Sequence, residues 1–180
     1  TYVSCPLRCF GEGISDAAGS ISAEVARSGI EVQEPYGHQR FSAEKEQAGV
    51  GKTILHDLRN DPNLGGAFWK LPIDTMSKWH ERSHVKFRDR RHVLGFARTK
   101  SKQAKIAVRI ANKLHHMAWR EAALLHKNGS MACVMQPYDS HSWDMTLAKE
   151  FGNMAGVYYD KVCLGCLGFQ FSLVLGFLHN

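Results

Sequence analysis

His80, Glu81 and His84, in the stretch SKWHERSH (residues 77–84), carry a His-Glu-x-x-His spacing. On a helix, two histidines four apart project from one face, so their imidazoles can take two corners of a zinc tetrahedron. The adjacent carboxylate can then polarise a metal-bound water toward a carbonyl. The chemistry would be zinc-dependent hydrolysis, with Glu81 catalytic and His80 and His84 as ligands. A third ligand has to come from a later element. His115 and His116 could meet the pair across a helical hairpin, and His92 and Glu121 are further candidates. The surroundings oppose this reading, because Lys78, Arg82 and Lys86 crowd the motif with positive charge that repels a dication. Phe87 and Arg90 also stand where an extended zinc-protease pattern places Gly and His. The same residues read more simply as part of a basic helix.

That second reading has wider support. Between Lys78 and Lys113 there are twelve Lys or Arg against two acids, Glu81 and Asp89, whereas the whole chain is only +6, so the remainder is net acidic. A concentrated positive field on a mildly acidic body suits a polyanionic partner better than evenly spread solubility charge does. Phe87, His92 and Phe96 interleave with the cations and could stack on unpaired bases. The sequence therefore points to a basic binding or structural subunit that contacts RNA or DNA phosphates through Arg82, Lys86, Arg88, Arg90, Arg91, Arg98, Lys100, Lys102 and Lys105. No recognition-helix or RNA-recognition signature accompanies them, so backbone contact or a place in a larger assembly is expected, without strong sequence specificity. The zinc hydrolase is the alternative, with zinc as its cofactor, and a protein-interaction module is the second alternative.

Other constellations are weaker. EQAGVGKT (46–53) ends like a phosphate loop, but Glu46 occupies the first glycine position and no apolar strand precedes it. Cys5, Cys9, Cys163 and Cys166 could form a four-thiolate zinc site tying the two ends of the chain together, although the residues beside the second pair look like packed core. Asp139, His141 and Asp144 in YDSHSWD are types that bind metals or move protons, yet the same types fill ordinary loops.

The elements that must position these groups read as mostly α. A chain of 180 residues with 44% hydrophobic and 22% charged residues suits one globular domain with a single core. Helices are expected over 15–29, over 42–61, from Asp74 or Thr75 through Phe87 carrying the His-Glu-x-x-His motif, and over 101–127. The last is the clearest, with a stripe of Ile106, Ile110, Leu114, Met117 and Leu125 and a stop at Asn128-Gly129. QEPYGHQ (33–39) reads as a loop and NLGGAFWKLP (63–72) as a connector. MACVMQPYDSHSW reads as mixed strand and loop, and DMTLAKEF as a short helix. The run 162–178 is apolar except for Gln170 and Ser172; its length borders on a membrane span, but its glycines and β-favouring residues suit buried strands or a core helix better. The fold class expected is thus a helical domain around a long helix with a short β or apolar C-terminal element. An odd cysteine count of five and a start with no charged, then apolar, leader suggest an intracellular, reducing compartment.

Overall fold

A computed structural model of the chain describes residues 7–10, 23, 26–29, 31–36, 64–71, 75–78, 87–97, 101–163, 166 and 174–180. Its centre is a six-stranded mixed sheet, which corrects the mostly helical expectation. In chain order the elements are β1 (Leu7–Phe10), β2 (Val32–Tyr36), β3 (Gly66–Lys70), α1 (Lys102–Lys127), β4 (Met131–Pro137), a 3-10 turn (His141–Asp144), α2 (Thr146–Gly152), β5 (Tyr158–Cys163) and β6 (Val174–His179). Across the sheet the order is β2-β1-β3-β4-β6-β5. The first four strands are parallel, while β6 runs antiparallel to both β4 and β5.

Local chemistry accounts for α1. Ser101 caps it by accepting from the Ala104 amide at 3.3 Å, and Gly129 at φ +77 ends it just beyond Asn128. The buried face is not centred on the expected isoleucine stripe. It runs through Val108, Ala111, His115, Ala118, Ala122 and Leu125, flanked by Leu114, Trp119 and Glu121, whereas Ile106, Ile110 and Met117 are half-buried. Alanines at the contact let the helix lie close on the sheet and leave room for Trp119.

The strand that sequence periodicity hides is β3. Ala67 and Trp69 face α1 and α2, and Phe68 faces the other way among Val32, Cys133, Met135 and Phe177. Buried on both faces, β3 has no polar alternation to mark it. Gly66 is required there, because a Cβ would meet the Met131 carbonyl oxygen of paired β4 at 2.5 Å. Gly66→Ala is therefore expected to push the two strands apart and cost about 1–3 kcal/mol. An unchanged urea midpoint in that variant would show that the strands do not approach this closely.

Other expectations are corrected by pairing. QEPYGHQ was expected as a loop, yet residues through Tyr36 form β2, an edge strand that tolerates Pro35. Of the helix expected from Asp74 or Thr75, residues 79–86 lie outside the described residues. Thr75 and Met76 form a turn, only Lys78 is 3-10 helical, and 87–97 is irregular. The apolar C-terminal run contributes the end of β5 and most of β6. Among the described residues no helix is long and apolar enough to cross a membrane. In the helix expected over 15–29, Ala23, Ala26 and Arg27 are helical and Gly29 at φ +80 follows them; the 42–61 helix and the 46–53 loop lie outside the described residues.

The strand order places the functional end of the sheet. Moving from β1, the chain goes one way to β2 and the other way to β3 and β4, so the winding reverses between β1 and β3. Both described helices pack on the face of Ala67 and Trp69, and open parallel sheets with such a reversal bind ligands outside the carboxyl ends of their strands.

Candidate functional site

The carboxyl tips of β3 and β4 are stitched together by their own side chains. Gln136 Nε2 donates to the Leu71 carbonyl at 2.8 Å, Ser140 Oγ donates to Gln136 Oε1 at 3.2 Å, and the His141 amide donates to the Met76 carbonyl at 2.7 Å. α1 is pinned to the same place: Trp119 Nε1 donates to Ser142 Oγ at 3.0 Å, and His115 Nδ1 lies 2.6 Å from that hydroxyl. All of Gln136, Ser140, His141, Ser142 and His115 are buried, so the turn after β4 is held by polar bonds sheltered from water, where they are strongest.

In front of this framework Asp144 Oδ2 sits 3.7 Å from Lys78 Nζ and 3.9 Å from His141 Nδ1. The carboxylate borders a cavity of about 640 Å³, walled by Tyr138, Trp143 and Tyr159 and rimmed by Lys78, Arg90 and Lys149. A neighbouring cavity of about 550 Å³ shares Lys78 and Arg90 and adds Asp89 and Arg91. Trp143 is fixed by its Nε1 bond to the Pro137 carbonyl at 2.7 Å and by an edge contact with Tyr159, ring centroids 5.2 Å apart. Gly176 makes that pair fit, since a Cβ there would meet Tyr159 Oη at 2.6 Å.

The cations foreseen in the sequence fall into three groups. Arg82, Lys86, Arg98 and Lys100 lie outside the described residues, as do His80, Glu81 and His84. Arg90, Arg91, Lys102 and Lys105 are exposed. Arg88 is not at the surface: it is 2% exposed and donates to the Val93 carbonyl at 2.6 Å, Thr75 Oγ1 at 2.7 Å and Asn112 Oδ1 at 2.8 Å. Burial pulls its guanidinium down to about 10, which still leaves it charged at neutral pH. It binds the 87–97 loop to α1 and to the tip of β3, and cannot reach a phosphate from there.

The metal candidates separate as well. His115 is buried at the Ser142 hydroxyl, whereas the next residue, His116, is on the solvent side of α1. Neighbours on a helix point about 100° apart, so the two do not serve one centre. His92 is engaged with Asp89 Oδ1 at 2.9 Å in an exposed loop. Among the described residues no group of three or more His, Cys, Asp or Glu could hold a metal ion. Of the cysteines expected to share a zinc, Cys5 lies outside the described residues, and β1, which carries Cys9, is separated from β5, which ends at Cys163, by β3, β4 and β6. Cys133 is inert by environment, its thiol pushed up to about 12 by burial. Its alkylation in the native protein is expected to be far slower than that of exposed Cys166, a contrast that peptide mass spectrometry reads; equal rates would show that β4 is not covered as described.

One feature was only partly read from sequence: Lys102 and Lys105 were expected as phosphate contacts, but not the row that they open. At 100° per residue, Lys102, Lys105, Arg109, Lys113, His116, Arg120 and Lys127 fall within roughly an 80° arc of α1 and form a row about 38 Å long. All seven are exposed, no acid interrupts them, and the single acid of the helix, Glu121, is buried. Beside the row lies a groove of about 490 Å³ with Leu94, Phe96 and Val108 in its wall. The signal was present as a spacing of four, four, three and four from Lys105 to Arg120, but only a known buried face shows which arc is free. Since α1 passes into β4 through the short turn at 128–130, it runs antiparallel to that strand. The N-terminal end of the row therefore lies toward the carboxyl edge of the sheet.

Fold and site together define a mixed α/β sheet with helices packed on one face among the described residues, an aromatic, cation-rimmed cavity at the tip of β4 and a cationic helix beside it. Comparison of the chain with protein-family models, with curated proteins and with solved structures finds no match.

Proposed function

We propose that the chain binds nucleic-acid phosphates without strong sequence preference, using the exposed face of α1 together with Arg90 and Arg91. The observation that carries this reading is the unbroken cationic row on α1. Such a row neutralises successive phosphates and releases their counterions, and the Phe96-lined groove beside it offers an apolar surface to unpaired bases. Affinity for a random-sequence oligonucleotide should fall steeply and linearly in log–log form as salt rises, with little change between sequences of equal length. Binding indifferent to salt would sink the reading and leave a protein-interaction module. The odd count of five cysteines supports an intracellular, reducing compartment.

The strand order favours a second reading of the same edge. β1 and β2 are adjacent and parallel, Gly11-Glu12-Gly13 follows β1 in sequence, and Glu34 lies on β2 about twenty residues on. This is the pattern of a ribose-bearing cofactor site at the winding reversal, except that Asp16 stands in place of the third glycine. Millimolar NAD or ATP should then raise the melting temperature, and Glu34→Gln should reduce the rise; no shift with either would remove this reading. The zinc reading rests on His80, Glu81 and His84, outside the described residues, and metal analysis of wild type beside His80→Ala decides it.

A further inference from the structure

We propose that the cavity beyond the tip of β4 takes one unpaired, amino-bearing nucleobase, with the attached phosphate on Lys78 and Arg90. This rests on the nucleic-acid reading above and names the part of the ligand that reaches the sheet edge. The cavity of about 640 Å³ falls in the range that encloses small ligands, and it opens at the carboxyl edge where such sheets bind them.

Three kinds of contact converge there. Tyr138 and Tyr159 are 45% and 40% exposed at the wall, the Lys161 ammonium lies 4.0 Å over one face of the Tyr138 ring, and Trp143 is locked beside them. A planar base has a π-face for each of these. Asp144 supplies an acceptor: its side chain is 21% exposed at the cavity wall, and with Oδ2 buried against Lys78 at 3.7 Å and His141 at 3.9 Å the carboxylate meets a ligand through its other oxygen. An ionised carboxylate accepts and cannot donate, so it selects cytosine N4 or adenine N6 amino groups over the carbonyl that uracil or thymine presents at the same position. Lys78 and Arg90 then stand between this cavity and the one containing Arg91, on the path a strand would follow out of the pocket. A base still paired in a duplex cannot use the site, because its amino edge is already bonded and its faces are stacked.

The test uses the 180-residue chain with CMP, AMP, UMP and dTMP as probes, followed by tryptophan quenching and by calorimetry. CMP or AMP is expected to bind about tenfold or more tightly than UMP and dTMP. Asp144→Asn should erase that preference, and Tyr138→Ala should weaken every mononucleotide about fivefold or more. Tyr138 is a surface residue, so its variant is expected to fold, which circular dichroism checks. Equal binding of all four probes with no effect of Asp144→Asn overturns the proposal, as does no binding at millimolar concentration. An oligonucleotide arm separates the two claims. Salt-sensitive oligonucleotide binding with no mononucleotide binding removes the pocket and keeps the phosphate row. Selective mononucleotide binding without oligonucleotide binding keeps the pocket and removes the row.

Discussion

Replacing Arg88 by alanine is expected to cost about 3–5 kcal/mol of stability, an effect larger than most single substitutions. Holding the charge inside is itself unfavourable, since burial pulls the guanidinium down to about 10. The three short bonds to Val93, Thr75 and Asn112 outweigh it, at about 1.5–3 kcal/mol each for a charged donor. Alanine removes all three, leaves the Val93 carbonyl with a lost donor, and opens a cavity between α1 and the 87–97 loop. Arg88→Lys keeps the charge but loses the planar fork that reaches Val93, Asn112 and Thr75 together, and should lose about half as much. Urea midpoints at constant slope read both values. A midpoint for Arg88→Ala within a few tenths of wild type would show the guanidinium is not placed as described. The lysine variant also separates structure from binding: folded, it should keep the wild-type salt dependence toward oligonucleotides.

That residue shows why the basic stretch was only partly legible in sequence. A charge run says how many cations there are, and burial is decided by partners far along the chain, here Asn112 on α1 and Thr75 after β3. Where the signals were local, the sequence reading held. The Ser101 cap and the Asn128-Gly129 stop placed the long helix within a residue, and DMTLAKEF formed α2 one or two residues later than expected. Where the structure depends on pairing across the chain, it did not. GAFWK is a strand because β1 and β4 flank it, and a continuous apolar run after two glycines carries no period by which to say so. The run 162–178 looked ambiguous for the same reason: β6 is defined by slotting between β4 and β5.

The site was legible to a similar degree. Asp139, His141 and Asp144 stood out by type, but their neighbour Lys78 comes from the tip of another strand, and the Trp143–Tyr159 wall depends on Gly176 of β6. Polar residues after β4 read as an ordinary loop until the sheet shows that this loop is at the carboxyl edge, the end at which open parallel sheets bind ligands.

The row on α1 makes the second large prediction. Substituting Lys105, Arg109 and Lys113 together by glutamine is expected to lower oligonucleotide affinity on the order of 100-fold near physiological salt. Each phosphate contact contributes a slope of about 0.7–0.9 in the salt plot, which at about 0.15 M amounts to about 1 kcal/mol. Three contacts therefore remove about 3 kcal/mol and reduce the slope by about two to three. All three side chains are exposed, and glutamine keeps helix propensity, so the fold should be unaffected. Placing the same three substitutions on the face that packs against the sheet would unfold the protein, which is why the arc matters more than the count. If the variant folds like wild type and binds oligonucleotides equally well with an unchanged slope, the cations of α1 are only solvated charge. If affinity and slope fall together while CMP still quenches Trp143, the row and the β4-tip cavity are separate parts of one binding surface, the first reading the backbone and the second a single base.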